Sequence, residues 1–373
     1  MAPFHCPRVH PVGSVAVDTL EYGDGGRWAA LRHHGDVDAA PGLLDFAVNV
    51  QGAAPPSWLV ERLVGLMGGL GAYPSADHDR RTREAVAARH GRGADEVLLL
   101  AGGAEGFAML PRLAPAHAAV IHPSFTEPEL ALREAGVPVT RVILDEPFRL
   151  RSAQVPESAD LVVVGNPTNP TSVLHGAEDM LALRRPGRVL VVDEAFMDAI
   201  PGEESSLAAL SAPDILVLRS LTKTWALAGL RCGYALGDPA VLARLARGRA
   251  HWPLGTLQLE AIAACSEPAA VAEAAGHAAV IAGRRNEMER RLDALGVRVH
   301  VPARAPFLLV RVPAGESMRH GLAAAGVAVR RCDTFPGLTR DHLRVAVRPR
   351  AQVDQLIRAF EAVTTRLAEC PPS

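Results

Sequence analysis

The sequence predicts an α/β protein whose larger part is a seven-stranded, mostly parallel sheet and whose C-terminal part is a smaller α+β region. The chain has 373 residues, which is enough to bury a large core and to divide into two domains. From about residue 95 to 236, short apolar runs without polar alternation recur between helical patterns, as expected for strands that helices cover on both faces. The runs are 97–100, 118–121, 142–144, 161–164, 189–192, 215–218 and 232–236.

An alanine-rich segment after this sheet predicts one long helix, with Ser266 as its N-cap and Gly296 as its stop signal. Shorter elements follow, namely strands at 297–301, 307–312, 327–330 and 343–347 and helices near 316–325 and 352–367. We therefore predict an N-terminal extension that is partly mobile (1–30), an arm that joins the small domain (31–69), a large domain (70–265), and a linking helix with the small domain (266–373).

The composition, with 49% hydrophobic and 21% charged residues, is typical of a soluble globular protein. The net charge is −2 and both signs are interspersed, so we expect no nucleic-acid partner. Without a stretch of 18 uncharged apolar residues or the apolar core of a signal peptide, we expect neither a membrane span nor secretion. Five scattered cysteines predict reduced thiols and a cytoplasmic location.

Three polar side chains stand where predicted strands end: Lys223, Asp193 and Asn169. A surface lysine, a helix-capping aspartate and a turn asparagine are the plain alternatives. However, burying a lysine without a partner is costly, so a lysine at this place indicates a chemical role, and Schiff-base formation is the commonest role that only lysine fills. Ligands of open α/β sheets bind at the carboxyl ends of strands, so we expect the three side chains to share one site.

With these residues in this order, the chain resembles fold-type I enzymes that use pyridoxal 5'-phosphate, in the branch of histidinol-phosphate aminotransferase and L-threonine O-3-phosphate decarboxylase. The resemblance covers roughly residues 30 to 365. It implies that Lys223 bonds the cofactor's aldehyde, that Asp193 holds the proton on its pyridine nitrogen, and that Asn169 donates to its ring oxygen.

A phosphate cradle is expected after the run 97–100, because glycines there let backbone N–H groups face an anion. The resemblance adds a ring that stacks on the cofactor and further phosphate contacts. The remaining cofactor-binding residues that it implies are Gly103, Ala104, Glu105, Phe125, Ser220, Thr222 and Arg231.

The resemblance also implies a small amino-acid substrate and a second subunit. Arg344 is expected to grip a carboxylate, which its fork of donors suits, and Arg330 a further anionic group. His33 and Asn49 fall where the decarboxylase has substrate contacts. Tyr73 matches a tyrosine that reaches the cofactor phosphate of the other subunit, so we expect a homodimer.

Two reactions remain open. Phe196 stands where the aminotransferase usually carries tyrosine, and segments 197–207 and 331–338 resemble the decarboxylase. Threonine-phosphate decarboxylase is therefore the preferred interpretation, and an aminotransferase of the histidinol-phosphate type with 2-oxoglutarate as partner is the alternative. Segments 51–54 and 171–172 depart from the decarboxylase pattern, which leaves the substrate open. A ligand-sensing regulator is disfavoured, because about thirty residues before the fold are too few for a DNA-binding domain.

Overall fold

The computed structural model describes residues 28–369, and its strands form three sheets. The strands are β1 (Leu44–Asp45), β2 (Val97–Leu100), β3 (Ala118–His122), β4 (Val139–Ile143), β5 (Leu161–Gly165), β6 (Val189–Asp193), β7 (Ile215–Ser220), β8 (Gly233–Gly237), β9 (Arg298–Val299), β10 (Phe307–Arg311), β11 (Val327–Ala328), β12 (Arg330–Arg331) and β13 (His342–Ala346).

Helices flank these strands along the whole described chain. The α-helices are α1 (Gly35–Asp38), α2 (Ser57–Val64), α3 (Ala76–His90), α4 (Gly103–Met109), α5 (Glu127–Glu134), α6 (Ala177–Leu181), α7 (Pro239–Leu245), α8 (Thr256–Ser266), α9 (Pro268–Ala294), α10 (Gly315–Ala324) and α11 (Arg350–Glu369). Short 3₁₀ turns lie at Ala29–Arg32, Met67–Gly69, Ala94–Glu96, Leu110–Leu113, Leu150–Ser152, Met197–Ala199 and Pro201–Glu203.

The seven-stranded sheet has the order β2-β8-β7-β6-β5-β3-β4, and the prediction of a mostly parallel sheet is confirmed. Only β8 runs against its neighbours β2 and β7. Every residue of β3, β5, β7 and β8 is buried, which explains why these runs carry no polar alternation. One apolar core lies on each face of the sheet, and alternate residues of β3 and β5 supply both.

The C-terminal part contains an antiparallel sheet of order β12-β13-β10-β9 with its own apolar core. The predicted strand 327–330 is in fact two: β11 pairs in parallel with β1 of the arm, and β12 pairs with β13. The predicted strand 297–301 keeps only the two residues of β9. The domain boundaries at 69/70 and 265/266 stay predictions.

The long helix exists as α9, but Ser266 is not its N-cap. Ser266 is the last residue of α8, and its hydroxyl donates back to the Ile262 carbonyl at 2.7 Å, so it is spent within that helix. Glu267 takes the N-cap position without a side-chain capping bond. Gly296 follows the end of α9 with a φ of +75°, as the stop signal predicted.

Most of the predicted N-terminal extension, as well as Cys6 and Cys370, lies outside the described residues. Among the described cysteines, Cys232, Cys265 and Cys332 are buried with free thiols. Between residues 28 and 369, no helix has both the length and the apolar character that crossing a membrane requires.

Candidate active site

A cavity of about 360 Å³ opens at the carboxyl ends of the parallel strands, between the seven-stranded sheet, the arm and the small sheet. It brings together most of the side chains that the sequence singles out. The predicted residues that line it are His33, Asn49, Gly103, Ala104, Phe125, Asn169, Asp193, Ser220, Thr222, Lys223, Arg231, Arg330 and Arg344. Glu105 and Tyr73 do not line it.

Lys223 lies just beyond the end of β7 and faces this cavity. Burial lowers the pKa of its ammonium to about 8, and the positive charges of Arg344 and Arg231 act in the same direction. Asp36 and Asp193 oppose that shift. A substantial fraction of Lys223 is therefore neutral near physiological pH and able to act as a nucleophile.

Asp193 is the last residue of β6 and lines the same cavity. Burial raises the pKa of its carboxyl to about 6, although the Ala195 N–H group donates to Oδ1 at 3.0 Å and opposes the shift. The carboxylate therefore lacks the partner that would hold it fully ionised. A cationic N–H group placed against it would supply that partner.

A buried ion network fixes the backbone next to Asp193. Glu194 accepts from Arg219 Nη1 at 2.9 Å, from the Ser206 hydroxyl at 2.6 Å and from the Leu207 N–H group at 2.7 Å. Arg219 also binds Asp198, so one guanidinium ties the ends of β6 and β7 to the turn that follows. This network was not predicted, although an arginine inside the apolar run that ends at Ser220 and the acids at 194, 198 and 203 were the available signal.

The expected phosphate cradle lies where β2 passes into α4. Gly102 has a φ of +81°, and a Cβ added there would lie 2.8 Å from Arg231 Nη2, so only glycine lets the guanidinium approach this turn. The hydroxyls of Ser220 and Thr222 lie 2.7 Å apart, and Ser220 adjoins this turn, since a Cβ added at Gly103 would lie 3.7 Å from its Cβ. Two hydroxyls, a guanidinium and the first turn of a helix form a suitable anion cradle.

Glu105 departs from the prediction. Its carboxylate accepts from the Ala101 N–H group at 2.6 Å and from Arg249 at 2.7 and 2.8 Å. Its own N–H group donates to the Gly102 carbonyl at 3.2 Å. Both polar parts of Glu105 are thus engaged, by the turn itself and by Arg249, and the side chain supports the cradle from outside the cavity.

Asn169 and Arg344 form one unit. Arg344 Nη1 donates to Asn169 Oδ1 at 2.6 Å, and because a guanidinium only donates, the amide Nδ2 keeps both of its hydrogens for another acceptor. Arg344 also donates to the Ala47 carbonyl, while its buried Nε has no partner among the described residues. That free N–H leaves Arg344 a donor for a ligand.

Arg330 lines the cavity, but its terminal nitrogens are already engaged. Nη1 donates to Asp38 at 3.3 Å and to the Arg331 carbonyl at 2.6 Å, while Nη2 donates to the His33 carbonyl at 2.7 Å and to Thr334 Oγ1 at 2.9 Å. A substrate anion can reach these donors only after one of the four contacts is broken. Binding of a further substrate anion by Arg330 therefore stays a prediction, and it requires that one of these hydrogen bonds is broken first.

The arm supplies the remaining predicted substrate contacts. His33 Nε2 lies 3.2 Å from Asp38 Oδ2, so its ring is partly committed to the arm itself. Asn49 is buried, and its Oδ1 has no hydrogen-bond partner in the described part of the chain. An unsatisfied buried acceptor at a cavity wall is suited to a ligand's donor group.

Tyr73 lies on the surface, with 75% of its area exposed. Its ring stacks on that of Trp252, itself 57% exposed, with centroids 4.4 Å apart. Within this one chain, Tyr73 has no contact with the cavity lining described above.

A possible metal cluster lies away from the cavity. Ligand atoms of Glu146, His300 and His342 lie within 4.8 Å of one another. However, Arg298 already pairs with Glu146 at 2.5 Å, and the Thr339 N–H group donates to His342 Nδ1 at 3.1 Å, which puts the ring proton of neutral His342 on Nε2. This arrangement does not offer a metal the lone pair it needs, and we assign no metal here.

A lysine, an aspartate and an asparagine at neighbouring strand ends, facing a glycine-bounded anion cradle, define a fold-type I enzyme that depends on pyridoxal phosphate. The donor set fits that group. Asp193 lacks a cationic partner, Asn169 has a free amide donor, and the cradle would be obstructed by a Cβ at Gly102.

The chain belongs to the class I and II aminotransferase family, whose model matches residues 42–360. Over 337 residues it is 57% identical to a protein of Mycobacterium tuberculosis named histidinol-phosphate aminotransferase, covering 90% of this chain and 92% of that one. It is 31% identical over 342 residues to the threonine-phosphate decarboxylase of Salmonella typhimurium, covering 87% of this chain and 92% of the relative.

Solved structures agree on the fold. The histidinol-phosphate aminotransferase of Clostridium acetobutylicum superposes with a TM-score of 0.78 at 23% identity, over 87% of this chain and all of that one. The L-threonine-O-3-phosphate decarboxylase of Porphyromonas gingivalis gives 0.75 at 22% identity, over 85% and 98%. Proteins of both names thus share this fold. In sequence, the chain is more similar to the relative named histidinol-phosphate aminotransferase than to the threonine-phosphate decarboxylase.

Proposed function

We propose that the protein is an aminotransferase that takes the amino group of a phosphorylated amino compound of the histidinol-phosphate type and passes it to 2-oxoglutarate. The observation that carries this proposal is the 57% identity to the relative of that name, against 31% to the decarboxylase. It reverses the preference drawn from the sequence, where short segments near Phe196 weighed towards decarboxylation.

The lysine, the aspartate and the asparagine of the cavity each have a role in this proposal. When bound, pyridoxal phosphate supplies an electron sink for the pair left at the substrate carbon. Lys223 Nζ, with its pKa lowered to about 8, accepts the proton from that carbon and returns one. Asp193 would hold the proton on the ring nitrogen, and the free amide hydrogens of Asn169 would bind the ring oxygen.

Substrate positioning falls to Arg344, whose free Nε donor binds an anionic group of the substrate. Asn169 accepts from Arg344, so one hydrogen-bonded unit would hold both the substrate anion and the ring oxygen of the cofactor. Ser220, Thr222 and Arg231 would hold the cofactor phosphate together with the turn at Gly103.

One observation favours the decarboxylase as a second candidate. The ring of Phe196 lines the cavity and packs edge-on against Phe307 at 5.0 Å, and it offers no hydroxyl to the cofactor ring. With one donor fewer around the cofactor ring, the orientation that Arg344 imposes on the substrate would decide whether its central carbon loses a proton or CO2.

Purified holoenzyme incubated with L-histidinol phosphate and 2-oxoglutarate should produce glutamate, and the Lys223→Ala variant should not. In a parallel incubation, L-threonine O-3-phosphate should release no CO2. If the second incubation releases CO2 and the first produces no glutamate, the protein is the decarboxylase and the proposal is wrong. Failure of both reactions would refute both candidates.

We also propose that the protein is a cytoplasmic homodimer in which Tyr73 reaches the partner's cofactor phosphate. The support is the stacked pair of Tyr73 and Trp252, two large apolar rings that are both more than half exposed within the single chain. Mixing Lys223→Ala with Tyr73→Ala subunits tests it. Hybrid dimers would contain one site with both residues and recover activity, whereas a Tyr73 that acts within its own chain would give none.

A further inference from the structure

The segment from His33 to Asp38, here called the strap, crosses the mouth of the cavity and is anchored on both sides. His34 Nε2 lies 2.7 Å from Glu127 of α5, and its ring is 5.6 Å from that of Phe125. At the other end, Arg330 binds the His33 carbonyl and Asp38. The strap is therefore attached on both sides of the cavity, and these attachments fix the position of Gly35 and Asp36 between them.

Gly35 lets the strap lie directly on the cavity wall. A Cβ at this position would stand 2.7 Å from the Ala47 carbonyl oxygen and 3.4 Å from Arg344 Nη2. No larger residue fits without moving backbone. The next residue, Asp36, is consequently held at the mouth, where it lines the cavity that Lys223 and Arg344 also line.

Asp36 is the uncommitted acid of this site. Apart from Asp193, it is the only carboxylate that lines the cavity in the described part of the chain. Asp38 is engaged with Arg330, whereas Asp36 is exposed at the mouth, and its side chain has no hydrogen bond or ion pair with any residue from 28 to 369. Its charge nevertheless reaches the interior, because it opposes the lowering of the pKa of Lys223.

The cationic and donor groups of the cavity are matched to anions. Arg231 faces the cradle, and Arg344 offers its Nε to a substrate anion. An anionic substrate alone would give Asp36 only repulsion. A carboxylate at this place is useful if the far end of the substrate brings an N–H group or a positive charge.

We infer that Asp36 determines specificity by binding the ring N–H of an amino phosphate that carries a nitrogen heterocycle at its far end, such as the imidazole of L-histidinol phosphate. This inference rests on the proposed function and sharpens it. L-Threonine O-3-phosphate has no such ring, so Asp36 gives the site a reason to prefer one of the two candidate substrates.

The test uses two ketone phosphates that differ at the far end. Imidazole acetol phosphate is what remains when L-histidinol phosphate loses its amino group, and dihydroxyacetone phosphate has a hydroxyl in place of the ring. Neither has an amine to react, so binding to the holoenzyme can be measured by calorimetry without turnover. Wild type should bind the ring compound more tightly, and Asp36→Asn should weaken that binding about tenfold, the usual effect of losing one charge-assisted hydrogen bond.

Dihydroxyacetone phosphate should bind wild type and Asp36→Asn with less than about a twofold difference in affinity. Asp36→Glu should restore part of the preference for the ring, which a merely structural role would not predict. The control is Asp145→Asn, which removes an equal charge from an exposed residue outside the cavity lining.

Equal weakening of both ligands by Asp36→Asn, or no weakening of either, would overturn the inference. The proposed function fails separately, through the absence of glutamate from wild type and L-histidinol phosphate. If wild type makes glutamate but Asp36→Asn does not lose affinity for the ring compound selectively, the proposed function stands and the inference about Asp36 is wrong.

Discussion

Removing Arg219 should destabilise the protein far more than removing an arginine from a surface ion pair. Arg219 is 1% exposed and contacts three acids: Glu194 at 2.9 Å, Glu203 at 2.8 Å and Asp198. Breaking a buried pair by deleting one partner costs about 3–5 kcal/mol, because a buried charge is left uncompensated. Arg89 remains beside Asp198 and Glu203, so the loss falls mainly on Glu194, and we expect about 3 kcal/mol for Arg219→Met.

Equilibrium urea unfolding of the holoenzyme at one fixed protein concentration measures this loss. The matched control is Arg184→Met, because Arg184 pairs with Asp214 at 2.7 Å but both side chains are partly exposed, and such pairs contribute about 1 kcal/mol or less. A loss for Arg219→Met below about 1 kcal/mol, or equal to that of the control, would refute the claim that this network fixes the end of β6.

Four further predictions concern the site and the proposed dimer interface. Gly102→Ala should reduce pyridoxal phosphate affinity at least about tenfold in a fluorescence titration, because the backbone strain and the collision both fall on the cradle, whereas Gly136→Ala, with a similar φ of +78° and nothing nearby, should leave that affinity unchanged. The rate at which apoenzyme bonds the cofactor should rise with pH and level off just above about 8, because the pKa of Lys223 is lowered; a rise that continues beyond about pH 10 would mean an unshifted lysine. From about 8 to 10.5 the folded apoprotein binds fewer protons at Lys223 than the unfolded chain, so this residue's contribution to stability should increase with pH there. Trp252→Ala removes the ring that supports Tyr73 and should lower the dimer fraction in sedimentation, and an unchanged fraction would count against the proposed interface.

The large sheet was predictable because both of its faces are covered. Complete burial leaves apolar runs that have no polar alternation, and each predicted run overlaps one observed strand. The small sheet was harder, because its strands are short and one apolar run serves two partners: β11 pairs with the arm and β12 with β13. Strand pairing across distant segments leaves no local pattern.

Residue types at the strand ends placed Lys223, Asp193 and Asn169 correctly at the cavity, but sequence does not reveal which donors are already occupied. Arg330 lines the cavity as expected, yet its terminal nitrogens already donate to the strap, to the Arg331 carbonyl and to Thr334. Glu105 sits in the expected turn, yet its carboxylate faces Arg249. Asp36 was overlooked, because its significance lies in having no partner.

The pairing of β1 with β11 has a consequence for how the chain folds during synthesis. Leu44 and Asp45 meet partners that leave the ribosome about 280 residues later, and the Ala346 N–H group then donates to the Phe46 carbonyl at 2.9 Å. The seven strands of the large sheet, β2 to β8, are all synthesised after β1 and before β11. That sheet can therefore close while the arm is still unpaired. The cavity mouth, strap included, is therefore assembled last, on a nascent chain whose catalytic strand ends are already in place.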